Sequence, residues 1–250
     1  MYVGYNLEIE SMDSGFLDAG KTLFMKYSKE IEIVLNDFTY SDGSLDGCKL
    51  RANWFPEIKA DVFISHSHKD EELATAFAGW LYSNFKIKAF IDSCVWQYAD
   101  DLLQSIDDDY CVNPNRRTYN YKKRNYSTSH VHMMLTVALA DMMDRTECLF
   151  FLNTPESIIP SDTINQTWSP WIYTEIAMTK LIRKKEPREH RKIAAKTIKE
   201  EIEKILGIKH DVDLEHLLPI DMNFLNFWKK EASGMESSES LDILYKMSGL

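Results

Sequence analysis

The chain has 250 residues, of which 44% are hydrophobic, 12% aromatic and 27% charged, the profile of a soluble globular protein with one large domain or one ordinary domain and an appendage. Its formal charge of −10 at pH 7 repels nucleic-acid phosphates and anionic membrane surfaces at long range, which disfavours generic nucleic-acid binding. Apolar runs are short, and the opening MYVGYNLEIESMD carries neither a basic n-region nor an apolar h-region, so the chain is expected to be cytoplasmic with no membrane partner.

Apolar residues at Phe16, Leu23, Phe24, Tyr27, Ile31, Val34 and Leu35 keep helical spacing from Ser14 to about Asn36. The Ser, Asp and Gly cluster from Thr39 to Gly47 reads as a boundary. Residues 1–53 are therefore expected to form an N-terminal helical extension, and the main domain to start near Trp54. Asp61 to Ser65 reads as a short buried strand, after which Ser67 and Asp70 make a capping box. Leu73, Ala76, Phe77, Trp80 and Leu81 form the apolar stripe of the helix that follows. Ile87 to Asp92 is the next strand, completing a βαβ unit of a parallel sheet.

Leu102, Leu103, Ile106 and Tyr110 give a shorter helical face, whereas Cys111 to Ser129 shows no periodicity and is expected to be an insertion or long loop. Val131, Met134, Leu135, Ala138, Leu139 and Met142 restore a helix, and Glu147 to Asn153 supplies a third buried strand. Ser169 and Pro170 are a cap and first-turn pair for a helix to about Lys185. The mixed-charge stretch Arg183 to Lys204 is expected to continue as a solvated helix. Beyond it, Ile208 to Leu214 reads as an edge strand, and Asn223 to Lys230 and Leu241 to Met247 as closing helices. Residues 186–250 are thus expected to be a mainly helical segment packed on a 54–185 domain.

Several motifs carry chemistry. His66-Ser67-His68-Lys69-Asp70 matches most of a His-x-His-x-Asp-His run that binds two metals, because alternate residues of an extended segment project to one side. Against a metal, the last position is Glu71, a helix begins at Ser67, and nine glycines are few for a loop-rich β hydrolase. His130 and His132 would lie about 200° apart on a helix and cannot share an ion. Arg116, Arg117, Lys122, Lys123 and Arg124, interleaved with Tyr119, Tyr121 and Tyr126, form a basic patch. It suits a phosphorylated ligand or an acidic neighbour, although Asp107, Asp108 and Asp109 can neutralise it within the molecule. Glu175 shares a helix face with Trp171 and Ile172, and a carboxylate so placed needs a partner or a role. A salt bridge and a catalytic function both satisfy that need. Cys48, Cys94, Cys111 and Cys148 form no Cys-x-x-Cys pair, which points to reduced thiols.

Taken together, DVFISHSHKDEELA, Phe90-Ile91-Asp92, CLFFLN and Ser169-Pro170-Trp171 followed by Glu175 resemble the Toll/interleukin-1 receptor (TIR) domain, especially its bacterial NAD-cleaving branch. The resemblance runs from about Ala60 to Lys185. It implies a flavodoxin-like parallel sheet flanked by helices, here with N- and C-terminal helical extensions. The chain departs from the family at Ala99-Asp100-Asp101-Leu102, where a Gly-x-Ser-Leu run is common, and in its long 111–129 insertion. By resemblance, Glu175 is the catalytic carboxylate of an NAD glycohydrolase or ADP-ribosyl cyclase. Ser65 and His66 border the pocket, Phe90 and Trp96 are candidates to stack on the nucleotide, and Trp171 is a further substrate-binding residue. Core packing competes for both Phe90 and Trp96. NAD is then a substrate, with no separate cofactor or metal. The implied setting is bacterial anti-phage immunity or signalling, and the implied partners are further copies of the TIR domain or a defence protein. A non-catalytic TIR adaptor or scaffold is the alternative, and a metal-dependent hydrolase built on the His-x-His-x-Asp run is third.

Overall fold

The computed structural model describes residues 1–27, 38, 40–41, 44–55, 58–91, 93–114, 117–158, 166–167, 169–191, 210–211 and 214–250. The chain opens with a strand, β1 (Val3–Glu8), which corrects the expectation of a purely helical extension over 1–53. Val3, Tyr5, Leu7 and Ile9 alternate with Gly4, Asn6 and Glu8, and this period of two puts the apolar set on one face, where all four are buried. A 3₁₀ turn at Ser14–Phe16 then leads into α1 (Leu17–Tyr27). The expected continuation of that helix to Asn36 lies outside the described residues.

The short α2 (Gly47–Trp54) is capped by Asp46, whose carboxylate accepts from the backbone N–H groups of Cys48 and Lys49 at 3.1 and 3.0 Å. β2 (Val62–Ser65) is followed by a 3₁₀ turn at His68–Asp70 and by α3 (Glu71–Phe85). Ser67 makes no side-chain cap there, and the carboxylate of Asp70 serves a loop contact described below. β3 (Ala89–Ile91) leads to α4 (Ser93–Ile106), which ends in a π-helical turn at Asp107–Cys111. Only part of the expected insertion is a loop, because Tyr121 to Ser129 are the first turns of the 25-residue α5 (Tyr121–Arg145). Those turns are polar nearly all round and so carry no apolar period, but Asn120 caps them by accepting from the N–H of Lys123 at 3.1 Å. Across the remaining turn the N–H of Asn113 donates to the carbonyl of Thr118 and that of Asn120 to the carbonyl of Cys111, on either side of a Val112–Tyr119 bridge.

β4 (Cys148–Leu152) and the two-residue β5 (Gln166–Thr167) precede α6 (Pro170–Leu181), in which Ser169 accepts from the N–H of Ile172 at 3.2 Å. A single turn, α7 (Pro187–His190), follows. Most of the expected Arg183 to Lys204 helix, residues 192–204, lies outside the described residues. β6 (His210–Asp211) pairs antiparallel with β5. β7 (Leu218–Asp221), α8 (Met222–Glu231) and α9 (Ser237–Met247) complete the chain.

The main sheet has the order β3-β2-β4-β1-β7, with every pair parallel. It has the flavodoxin-like α/β architecture that the sequence implies. The first three places follow the flavodoxin-like order, in which the first strand lies between the second and third. The fourth place is filled by the N-terminal strand, so segments 1–53, 54–185 and 186–250 all contribute to one sheet. Helices cover both faces, as a parallel sheet requires. Phe63, Phe90, Leu149 and Phe151 face a layer holding residues of α2, α4, α5 and α6. Tyr5, Leu7, Val62, Ile64, Phe150 and Leu152 face α3, α8 and α9. On that second side Trp80, Phe85 and Trp228 form an aromatic cluster, in which Phe85 stacks on Trp228 with centroids 4.2 Å apart and lies edge-on to Trp80. Among the described residues no helix is long and apolar enough to cross a membrane.

Helix α1 lies against α3 through two glycines. A Cβ on Gly79 would stand 2.0 Å from the carbonyl oxygen of Phe16, and one on Gly20 would stand 2.0 Å from that of Thr75. Gly79→Ala is therefore expected to push α1 away and cost about 1–3 kcal/mol, read as a lower urea midpoint with an unchanged slope. His190 offers a second check, because burial depresses its imidazole from 6.5 to about 4 while Nδ1 donates to the carbonyl of Arg145 at 3.4 Å. The folded chain thus favours neutral His190, and this contribution is complete above the unfolded pKa and lost as pH falls from about 6.5 to about 4. A pH series of denaturation midpoints should fall less steeply over that window for His190→Gln than for the wild type.

Candidate functional site

The helix after β2 covers one sheet face and the helix after β4 covers the other, since α3 and α6 belong to opposite core layers. The carboxyl ends of β2 and β4 therefore flank a topological switch point, the place where open α/β sheets form a binding crevice. Ser65 is the last residue of β2 and His66 follows it. Across the gap, the second turn of α6 presents Glu175. The Ser65 hydroxyl donates to Glu175 Oε2 at 2.6 Å, a short hydrogen bond. Ser65, His66 and Glu175 are 1%, 3% and 1% exposed, and the hydrogen bond brings Ser65 and Glu175 together at a buried point.

Local sequence explains the delivery. Ser169 and Pro170 start α6 at a defined residue, and Ile172 and Ile176 anchor it in the core. Glu175 stands three residues after Ile172 and one before Ile176, so the apolar stripe carries the carboxylate down onto the sheet. One turn on, the Thr179 hydroxyl lies 2.6 Å from His216 Nε2 and donates to the carbonyl of Ile176. The same helix face thus carries a second polar contact under α6.

Two loops are tied together beyond the carboxyl ends of β2 and β4. The Thr154 hydroxyl donates to Asp70 Oδ2 at 2.5 Å, which ties the turn after β2 to the turn after β4. Ser157 braces the second turn by donating to the carbonyl of Leu152 and accepting from the N–H of Thr154, both at 2.8 Å. Lys69 and Glu156 add an ion pair at 2.5 Å, but both side chains are well exposed and such pairs contribute little.

The remaining expected residues are placed differently. Phe90 is 2% exposed and packs on Phe63 with centroids 5.2 Å apart. Of the two readings left open for this residue, the packing favours a place in the core. Trp171 is half-buried and meets the edge of His132 at 5.4 Å and 81°, which places it at the α5–α6 contact. Burial lowers the pKa of that histidine. Trp96 belongs to α4, but its side chain lies outside the described residues. His66 is buried whereas His68 is exposed in the 3₁₀ turn, so the two imidazoles occupy different environments. Among the described residues no group of three His, Cys, Asp or Glu side chains has the arrangement of a metal site.

Two members of the basic patch, Arg124 and Lys123, are held within the chain. Arg124 pairs with the buried Asp107 at 2.8 Å and covers the Tyr119 ring at 5.2 Å, while Tyr119 donates to Asp108. Lys123 donates to the carbonyl of Tyr110 at 3.0 Å. Arg116 lies outside the described residues, and Tyr121 and Tyr126 remain exposed.

One site neighbour escapes the sequence-based reading. Asn6 of β1 pairs in register with Phe151 of β4, which pairs in turn with Ser65 of β2. Register partners share a sheet face, so Ser65, Phe151 and Asn6 form a row across three strands. Asn6 Oδ1 is buried and accepts no hydrogen bond among the described residues. The period-two alternation at Val3 to Ile9 is the signal that locates this strand and residue.

Searches of family models, of curated proteins and of solved structures return no match to the chain. The class defined by the structure is accordingly that of a parallel α/β sheet protein with a buried Ser–Glu pair at its switch point.

Removing the Ser65 hydroxyl takes one hydrogen bond away from a buried carboxyl group. Ser65→Ala is expected to destabilise the fold by about 1.5–3 kcal/mol, and Ser65→Thr to recover part of that loss, as measured by denaturant midpoints.

Proposed function

We propose that the chain is an N-glycosidase that cleaves the nicotinamide–ribose bond of NAD, with Glu175 as its catalytic carboxylate. The observation that carries this reading is the 2.6 Å Ser65–Glu175 hydrogen bond at the carboxyl ends of β2 and β4. A charge buried in a fold is costly unless it is paired or used, and here it sits where α/β sheets bind ligands. The resemblance of the surrounding motifs to TIR domains supports the choice of substrate.

The chemistry asks little of the protein beyond one anion. Ordinary glycosidases need an acid to protonate the departing oxygen and a second carboxylate across the ring. The nicotinamide of NAD is already cationic and departs as a neutral base when the C–N bond takes its electron pair to nitrogen. The ribosyl carbon left behind has oxocarbenium character, which a desolvated carboxylate stabilises. Water then adds to that carbon and loses a proton, giving ADP-ribose, nicotinamide and H⁺. Attack by a nitrogen of the adenine gives a cyclic isomer instead. Ser65 holds the carboxylate in place, and the resemblance assigns the neighbouring His66 to the border of the pocket.

At 1% exposure, Glu175 must be uncovered before a dinucleotide reaches it. The Asp70–Thr154 clasp is the contact to release, and assembly with further copies or with a defence protein is the means we favour. The setting we assign is the bacterial cytoplasm and immune signalling. The same burial favours a second reading, a TIR-like interaction module without catalysis.

The two readings separate on incubating purified protein with NAD, alone and under crowding, with chromatography of the products. Glycosidase activity is expected to yield nicotinamide together with ADP-ribose or a cyclic isomer. Glu175→Ala should lower the rate by roughly 10²–10³-fold without loss of fold by circular dichroism. Cleavage that survives Glu175→Ala would remove the site assignment, and a chain that binds copies of itself but never NAD would leave the interaction module.

A further inference from the structure

Helices α1 and α3 touch where Gly20 meets Thr75, since a Cβ on Gly20 would stand 2.0 Å from the Thr75 carbonyl oxygen. Beside that contact they leave an open cleft of about 530 Å³, lined by Leu17, Lys21 and Met25 of α1 and by Glu71, Glu72 and Thr75 of α3. Its volume is that of a small-molecule site. We propose that this cleft binds a small zwitterion with an apolar body, of the amino-acid type. Glu71, Glu72 and the Thr75 hydroxyl hold its ammonium group, and Lys21 holds its carboxylate. The cleft lies on the α1 side of α3, in the layer opposite to the one that holds α6 and Glu175, and the inference is independent of the NAD reading.

Thr75 is the observation that points to a ligand. It is only 6% exposed, yet among the described residues its hydroxyl makes no hydrogen bond, although buried polar groups are nearly always paired. By contrast Thr22, Thr136, Thr174 and Thr179 each donate to a backbone carbonyl of the preceding turn, the usual outlet for a helical threonine. The Thr75 methyl stands against Gly20, with Cγ2 2.9 Å from where a Cβ would be. The hydroxyl is therefore the branch left for the cleft that this residue lines. Glu71 and Glu72 stand four and three residues before Thr75 and share its helix face.

Charge decides the class of ligand. Among the described residues Lys21, Glu71 and Glu72 form no ion pair, whereas Lys69, on the rim beside His68, is committed to Glu156. The helix dipole accounts for two acids at the start of α3, but not for a facing lysine or an unbonded hydroxyl. A ligand of one sign would meet a like charge on the opposite wall, while a zwitterion meets both walls favourably. Leu17 and Met25 follow Lys21 at helical spacing on either side and supply the apolar surface, the methionine thioether being well suited to an aromatic ring.

The test titrates the full chain with L-phenylalanine, phenethylamine and 3-phenylpropanoate, three probes with one apolar body, by ligand-observed NMR, with thermal melts of each variant. L-phenylalanine is expected to bind saturably and roughly tenfold tighter than either probe that lacks a head group, as expected for one lost charged hydrogen bond. Lys21→Met, at an exposed position, should weaken L-phenylalanine roughly tenfold and leave phenethylamine unchanged. Thr75→Val and Glu72→Gln should weaken L-phenylalanine and phenethylamine alike and leave 3-phenylpropanoate unchanged. Glu72 is exposed, so Glu72→Gln carries this arm if Thr75→Val melts early. No saturable binding of L-phenylalanine, or equal binding of the three probes, overturns the assignment. Binding that survives both Lys21→Met and Glu72→Gln also overturns it, because the ligand then lies elsewhere.

Discussion

The architecture depends on the backbone ladder that β1 makes with β4 on one side and β7 on the other. Through it, the first residues of the chain hold the last strand in the sheet, although more than 200 positions separate Tyr5 from its partner Leu218. A parallel strand is stable only when its neighbours and both of its faces are supplied. β1 receives β4 and β7 as neighbours, the α3, α8 and α9 layer on one face and the α6 layer on the other. Loss of β1 would leave β4 an edge and detach β7 with its helices. The long-range character of this pairing sets a loop-closure cost before the sheet is complete.

The candidate site uses the stiffness that this sheet provides. Glu175 is tolerated at 1% exposure because a short helix, begun sharply at Ser169 and Pro170 and pinned by Ile172 and Ile176, delivers it onto a hydroxyl that is itself fixed at a strand end. A carboxylate on a mobile loop would escape to water instead of bearing the desolvation cost. The Asp70–Thr154 clasp then links the turns after β2 and β4, beyond the strand end that carries Ser65.

Acidic and basic segments of the chain neutralise each other locally. Asp107 to Asp109 close the π-helical end of α4, and Arg124, Lys123 and Tyr119 answer them from the start of α5 and the turn before it. The net charge of −10 describes the long-range field of the protein, while Arg124 and Lys123 brace the start of α5 at short range. On the opposite end, Arg191 joins Glu147 and Asp242, and Tyr245 donates to Glu147, which fastens α9 to the start of β4. Burial raises the pKa of Glu147 even with Arg191 beside it.

The sequence by itself determined the local elements, because periodicity and capping act over a few residues. β2, α3, β3, β4 and α6 follow from apolar runs, from helical spacing and from the Ser169–Pro170 start, and Glu175 was already visible as a carboxylate on an apolar face. Turns that are polar all round, such as Tyr121 to Ser129, carry no such period and read as loop. The tertiary structure alone decided which partners these elements found. It placed β1 between β4 and β7, turned Phe90 into the core against Phe63, and brought Ser65 within hydrogen-bonding distance of Glu175, 110 positions away. It also set Asn6 in register with Phe151 and Ser65. The reason is that strand order and register are chosen by the global competition for buried neighbours, which no window of sequence contains.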